Sequence, residues 1–316
     1  MNIDDSLLKL FPDAVQVTRN AKLCDYTTFQ LGGPCPAVVD CPHADSLSKT
    51  AELLAGRNLP FIVIGQGSNL LISDQGLDCI VLRYCSEDAP WVEADGNGIR
   101  VSGNTLLDDL ARIAIELGLG DISYCSGIPG TVGGAIAGNA GAFGQQIGDV
   151  VESVRLMSLD GVVEEVQMED LHFEYRSSAL KKSGAVVLDA RLKLEPTDRS
   201  QMEKERARIM ELRRTKHPDW KKDPCAGSVF RNVEPTSAAD RRQAAGWFLE
   251  EAGVKEFRIG GARLFEKHAN IIVAASTASA ADVFHLTEKM IEAVQIKFGF
   301  ELEREIKLLG EFTTTT

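Results

Sequence analysis

The sequence predicts an α+β protein, and three features carry that expectation. Strands and a hairpin fill much of the first 196 residues, whereas charged and amphipathic helices are prominent after Pro196. The stretch Cys125–Gly148 holds eight glycines in 24 positions and almost no charge. That suits backbone brought very close to a ligand, or amides turned toward one anion, with a glycine-rich surface loop as the plain alternative. Finally, Gly65 and Gly67 follow an apolar strand, but Leu70 occupies the third glycine position of a dinucleotide fingerprint. The residues beyond read as extended, so the classical dinucleotide fingerprint fails, and any phosphate here meets loop amides between strands.

The elements follow in order. SLLKLF (6–11) is a short helix before an entry strand, and residues 23–41 read as strand, Gly32-Gly33-Pro34 turn, strand. Residues 45–60 are an amphipathic helix with Gly56 near its end, and FIVIG (61–65) and LLIS (70–73) are buried strands. Strands around CIVLR (79–83), WVEAD (91–95) and IRVSG (99–103) precede a helix over 105–119. After the glycine-rich stretch, 150–167 form a hairpin around Leu159-Asp160-Gly161, and 185–196 close this part as a strand. A charged linker helix over 200–218 stops at Pro218, and DPCAGSVFRN (223–232) is a loop. Residues 240–253 are a helix ending at Gly253, and 262–276 contain a strand. A long helix begins at a Ser279/Asp282 capping box and stops at Gly299, and 300–312 are a final strand.

Composition narrows the function. The chain has 316 residues, 44% hydrophobic and 25% charged, enough for two domains or three small ones. A formal charge of -12 argues against nonspecific binding to nucleic acid or a membrane surface. The N-terminus has no signal-peptide pattern, and the seven scattered cysteines without a C-x-x-C suit a reducing, cytoplasmic compartment. The histidines are dispersed as well, so no metal site is expected.

Four separated pieces then carry one resemblance. TTFQLGGP (27–34), VIGQGSNLLISDQG (63–76), GIPGTVGG (127–134) with NAGAFG (139–144), and AGSVFRN (226–232) occur in the order of the UDP-N-acetylenolpyruvoylglucosamine reductases (MurB). The likeness runs over about 20–312 and includes YRSSALK (175–181) and LEREIKLLG (302–310). It implies NADPH-dependent reduction of UDP-N-acetylglucosamine enolpyruvate through non-covalent FAD, in peptidoglycan precursor synthesis. It also implies a two-part FAD-binding half of the vanillyl-alcohol-oxidase type and an α/β substrate-binding domain. The expected divisions are 1–70 and 71–200 for the flavin half and 201–298 for the substrate domain. A strand over 299–312 returns to the active site, and 313–316 form a disordered tail. There is no room after Pro196 for the tyrosine-bearing insert of the longer type, and a monomer is expected.

The residue roles are those the resemblance implies. Ser228 is the proton donor; Glu305 and Arg176 serve the enolpyruvyl carboxylate. Tyr175, Lys216, Asn232, Lys255 and His268 map to substrate-contacting positions. The cofactor positions are Gly65, Gln66, Gly67, Ser68 and Asn69, together with Gly127, Ile128, Pro129, Gly130, Thr131, Gly133, Gly134 and Asn139. Each has a bland counterpart: a turn serine, a surface arginine, or a solvated carboxylate, since Glu301, Glu303 and Glu305 share one face by period two. The chain departs from the family at Val233, where a proline is usual, and at Cys125-Ser126, with the thiol read as small buried core. The rival readings are an FAD-dependent oxidase of an alcohol or lactone, and a non-catalytic flavin-binding protein.

Overall fold

The computed structural model describes residues 3–85, 91–96, 98–120, 122–234 and 242–313. Of the expected disordered tail, 314–316 lie outside the described residues. Contacts divide the chain into two compact units that do not follow chain order. The first comprises 1–21, 35–66 and 78–212; the second comprises 22–34, 67–77 and 213–316. The change at 212/213 falls inside the charged helix Arg199–Lys216.

The first unit is built on two sheets. One has four strands, ordered Gln16–Lys22, Pro34–Asp40, Ile80–Arg83, Phe61–Ile64. Two of its pairs are parallel, Val38 opposite Val81 and Phe61 opposite Ile80. The helix Ala44–Ala55 connects Pro34–Asp40 to Phe61–Ile64, the strand on the other side of Ile80–Arg83, and buries Leu47, Ala51 and Leu54 on one face. The other sheet has five strands, and every pairing in it is antiparallel: Val163–Gln167, Val151–Met157, Val186–Lys193, Gly98–Ser102 and Val92–Ala94. The expected hairpin over 150–167 is its first pair. The helix Leu107–Leu117 buries Leu107, Leu110, Ala111, Ala114 and Ile115, and Gly118 ends it in the left-handed region. Polar bolts join the two sheets. The Tyr84 hydroxyl donates to the Leu188 carbonyl at 2.8 Å, and the Asn104 amide donates to the Pro42 carbonyl at 2.7 Å.

The second unit has a three-stranded antiparallel sheet: Arg258–Ile259, Ala262–Phe265 and His268–Ala274. The helices Ala245–Glu251 and Ala280–Phe298 share its core, in which Phe230, Leu249, Ile271, Ile272, Leu286 and Met290 are buried. The expected capping box is present: Ser279 Oγ accepts from the Asp282 amide at 3.0 Å, and Asp282 accepts from the Ser279 amide at 3.0 Å. Asp74 caps the same helix from another part of the chain, accepting from the amides of Ala280 and Ala281 at 2.8 and 2.9 Å. The final strand is shorter than expected. Only Lys307–Leu309 is ladder, parallel to Leu70–Ile72. Upstream, Leu302 and Ile306 are buried and Glu301 and Glu303 exposed, the alternation of extended chain, with an isolated bridge from Arg304 to Phe230. Among the described residues, no helix is long and apolar enough to cross a membrane.

Candidate functional site

In the first unit the glycine-rich stretch is a turn leading into a helix. Residues 132–137 are helical, unlike the surface loop of the plain alternative, and Thr131 caps them by accepting from the Gly134 amide at 3.3 Å. A Cβ on Gly65 would stand 2.5 Å from Thr131 Oγ1, so the end of the strand Phe61–Ile64 reaches this turn only without a side chain. Several amides expected to face a ligand are already committed. That of Gly127 donates to Asp108 Oδ1 at 2.7 Å, that of Ile128 to the Cys125 carbonyl, and that of Gly133 to the Gly103 carbonyl. The amides of Gly130 and Thr131 donate to no other backbone carbonyl among the described residues.

Asp108 is a residue sequence reasoning missed. Arg206 clamps its carboxylate at 2.6 and 3.0 Å. Burial pushes the Asp108 carboxyl up, but the Arg206 guanidinium and the Gly127 amide outweigh it and hold the pKa below the usual value. Buried polar atoms without protein partners border these turns, namely Gln66 Oε1 and Ser126 Oγ. Such a site, with close-approach backbone and uncompensated buried polar atoms, fits a flavin nucleotide. Cys125 is 1% exposed within the core, as its plain reading required.

Asn139 anchors the neighbouring turn. It is 1% exposed; its Oδ1 accepts from the Gly148 amide at 3.0 Å, and its Nδ2 donates to the Glu174 carbonyl at 2.8 Å. Those bonds use both ends of the amide on the scaffold, so it fixes the loop. The turn it holds carries Tyr175 and Arg176, whose guanidinium lies 5.5 Å from the Tyr175 ring centroid. Arg176 has φ +54, and its carbonyl accepts from Lys181 Nζ at 2.6 Å.

In the second unit, Ser228 sits on a raised turn over the strand His268–Ala274. The chain pairs with that strand where the Ala274 amide donates to the Pro224 carbonyl, and again where the Val229 amide donates to the Asn270 carbonyl at 2.8 Å. Between these points it bulges. Gly227 has φ +70, and a Cβ there would meet nothing within 4 Å. Half-buried Ser228 follows directly, bridged to Ile271. The Glu305 amide donates to the Val229 carbonyl at 2.7 Å, and the Asn69 side chain donates to the Glu305 carbonyl at 3.1 Å. The Thr28 amide donates to the Gly67 carbonyl, while the Cys225 amide donates to Thr28. Ser228, Glu305, Gly67, Ser68 and Asn69 are thus brought together. None of the amides of Gly67, Ser68 and Asn69 donates to another backbone carbonyl among the described residues.

The structure also separates the acidic residues that period two left equivalent. Glu303 is 69% exposed and pairs with Arg231 at 2.9 Å, whereas Glu305 is half-buried beside the serine turn. His268 is half-buried, its ring centroid 5.7 Å from that of His217. Burial pushes both imidazoles down, His217 to about 4. The His268 Nδ1 accepts from the Asn270 amide at 3.2 Å, which leaves Nε2–H as a neutral donor. Asn232 is exposed, but its Oδ1 accepts from the Ala245 amide at 3.2 Å, so part of its work is holding the start of a helix. Lys216 and Lys255 are exposed, and Lys216 acts electrostatically on both histidines. No described contact brings Lys255 to this group.

Comparison with known proteins identifies a family for the chain. The family model for the C-terminal domain of UDP-N-acetylenolpyruvoylglucosamine reductase matches 218–309, and that for an FAD binding domain matches 35–167. The UDP-N-acetylenolpyruvoylglucosamine reductase of Anoxybacillus flavithermus is 35% identical over 93% of this chain and 94% of its own. That of Bacillus subtilis is 32% identical over 93% and 94%. The crystal structure of the Thermus caldophilus enzyme is 31% identical with a TM-score of 0.75, covering 94% of this chain and 100% of its own. The chain belongs to the UDP-N-acetylenolpyruvoylglucosamine reductase family.

Proposed function

We infer that the protein is the FAD-dependent reductase of UDP-N-acetylglucosamine enolpyruvate, using NADPH and yielding UDP-N-acetylmuramate for peptidoglycan. The observation that carries this reading is the turn at Ser228, raised by Gly227 and joined through Val229 to Glu305 and Asn69. FAD, when bound, supplies the two-electron chemistry that links NADPH to the vinyl group. Addition of hydride to the vinyl CH2 leaves negative charge on the adjacent carbon, delocalised into the carboxylate. A hydroxyl is a weak acid, and only so basic a carbon takes its proton; Ser228 Oγ donates it. Glu305 and Arg176 receive the carboxylate charge, each in the role its matching family position implies. His268 offers a neutral N–H, Lys216 and Lys255 suit a diphosphate as compact charges, and Tyr175 and Asn232 complete the substrate contacts. The backbone at 65–69 and 127–134 holds the cofactor, with Gly130 and Thr131 supplying amides; Asp108 takes the Gly127 amide.

The same proposal assigns 1–70 and 71–200 to the flavin half, and 201–298 with the returning segment to the substrate. It makes the protein a cytoplasmic monomer that binds neither nucleic acid nor membrane. The acid balance supports the exclusion of nucleic acid and membrane surface, and the scattered cysteines without a C-x-x-C support a reducing compartment. The test is the absorbance of the purified protein: a flavin spectrum, bleached by NADPH and restored by the enolpyruvyl substrate. In Ser228→Ala, bleaching should persist and restoration should slow by at least about a hundredfold. Restoration at the parent rate would remove Ser228 from the chemistry.

A further inference from the structure

We propose that Asn270 is the positioning residue for the proton donor, holding the backbone that follows Ser228 by a two-point amide clamp. This rests on the reading of Ser228 given above. Asn270 is 2% exposed. Its Oδ1 accepts from the Phe230 amide at 2.9 Å, and its Nδ2 donates to the Phe230 carbonyl at 2.8 Å. Its own carbonyl accepts from the Val229 amide at 2.8 Å. One residue therefore satisfies both peptide groups of Phe230 and one of Val229, immediately beyond the hydroxyl.

The serine turn has isolated bridges, Ser228 to Ile271 and Phe230 to Arg304, in place of a regular ladder, and the Asn270 bonds act with the Glu305 amide on the Val229 carbonyl to set where it sits. Upstream, Gly227 has φ +70, and the chain before it is tied where the Cys225 amide donates to the Thr28 carbonyl and the Ala274 amide donates to the Pro224 carbonyl. Downstream, Phe230 is 1% exposed and locked in the core. A shift of Phe230 carries Ser228 with it, and proton delivery to one carbon depends steeply on placement. The same clamp reaches His268, whose Nδ1 accepts from the Asn270 amide.

The clamp needs an acceptor and a donor on one short side chain, and that requirement makes it testable. In Asn270→Asp, an ionised carboxylate still accepts from the Phe230 amide but opposes the Phe230 carbonyl. A protonated carboxyl has both an acceptor oxygen and an O–H donor, and burial favours that neutral form. The variant should therefore regain function as pH falls, which loss of packing alone would not produce.

The two half-reactions of the holoenzyme should be followed separately by stopped-flow absorbance. Bleaching of Asn270→Asp by NADPH should stay within about twofold of the parent, because the clamp acts on the proton donor, which that half-reaction does not use. Restoration by the enolpyruvyl substrate should slow about tenfold to a hundredfold at the alkaline end of the range and recover toward acid pH. Substrate affinity for the oxidised enzyme, by calorimetry, should change far less than the rate. Asn270→Ser, which cannot bridge both groups, should show the same loss without acid recovery. In the cofactor-free protein this variant should exchange the Phe230 amide faster while Ile272 and Val273 stay protected. Equal loss in both half-reactions, a loss independent of pH in Asn270→Asp, or unchanged exchange at Phe230 would overturn the proposal. If Ser228→Ala restores normally, the reading of Ser228 fails whatever Asn270 does. If Ser228→Ala is blocked and Asn270→Asp is not, the positioning proposal alone fails.

Discussion

Gly65→Ala should destabilise the first unit through a single neighbour, and the structure sets the size. The new Cβ would lie 2.5 Å from Thr131 Oγ1 and 3.1 Å from Thr131 Cγ2. Thr131 is 3% exposed and caps the helix Val132–Ala137, so it cannot yield without giving up its bond to the Gly134 amide. Overpacking of this kind costs about 1–3 kcal/mol, and loss of a cap about 1 kcal/mol. Thr131→Ala loses the cap but opens the space that the new methyl needs. The double variant should therefore be more stable than the sum of the single losses by about 1–2 kcal/mol. Urea unfolding of the cofactor-free variants gives all three terms. Additive losses, or a single loss at Gly65→Ala near zero, would mean that the backbone moves apart at little cost and that the close approach is not what excludes a side chain there.

Two further outcomes follow from the second unit. Asp74→Ala removes two charge-assisted bonds from the first turn of Ala280–Phe298 and should cost about 1–2 kcal/mol, read as a lower urea midpoint. Asp74→Asn, which keeps the acceptor, should recover part of that. His217 should titrate near 4 by NMR, because burial, and then the nearby Arg213, disfavour its cation. Its folded pKa lies below the unfolded value of about 6.5, so the unfolded chain binds the proton first. The stabilising contribution of neutral His217 is present above that value, declines as pH falls through the interval, and is exhausted below about 4. His217→Gln should flatten stability across that acid interval, and an unchanged profile would refute the assignment.

Which parts of this molecule were legible in its sequence depends on the range of the interaction. The Ser279/Asp282 box, the Gly118 and Gly299 stops and the 150–167 hairpin are local, and each is present. The failure of the dinucleotide fingerprint at Leu70 is local too, and that residue does open a strand. By contrast, segments 22–34 and 67–77 belong with residues after 212, through bonds such as Asn69 to Glu305 and Lys307 to Asn69. No period or spacing announces a pairing across more than 230 residues. Glu305 could be told from Glu303 only by family likeness, because what separates them is an ion pair to Arg231 and the approach of the Val229 carbonyl.

Asn270 and Asp108 show the same limit from the side of chemistry. Each is an ordinary polar residue within an ordinary element, a strand and a helix, and neither spacing nor composition marks it. Their importance lies in what they satisfy: the peptide groups of Phe230 in one case, the Gly127 amide in the other. Turns that present a hydroxyl or an amide cannot also pair all their own backbone groups, so a side chain from elsewhere must do so. The bound side of a site can be guessed from motif, because its residues meet a ligand of fixed chemistry. The supporting side must be found from the fold, because any residue that can reach an unpaired backbone group will serve.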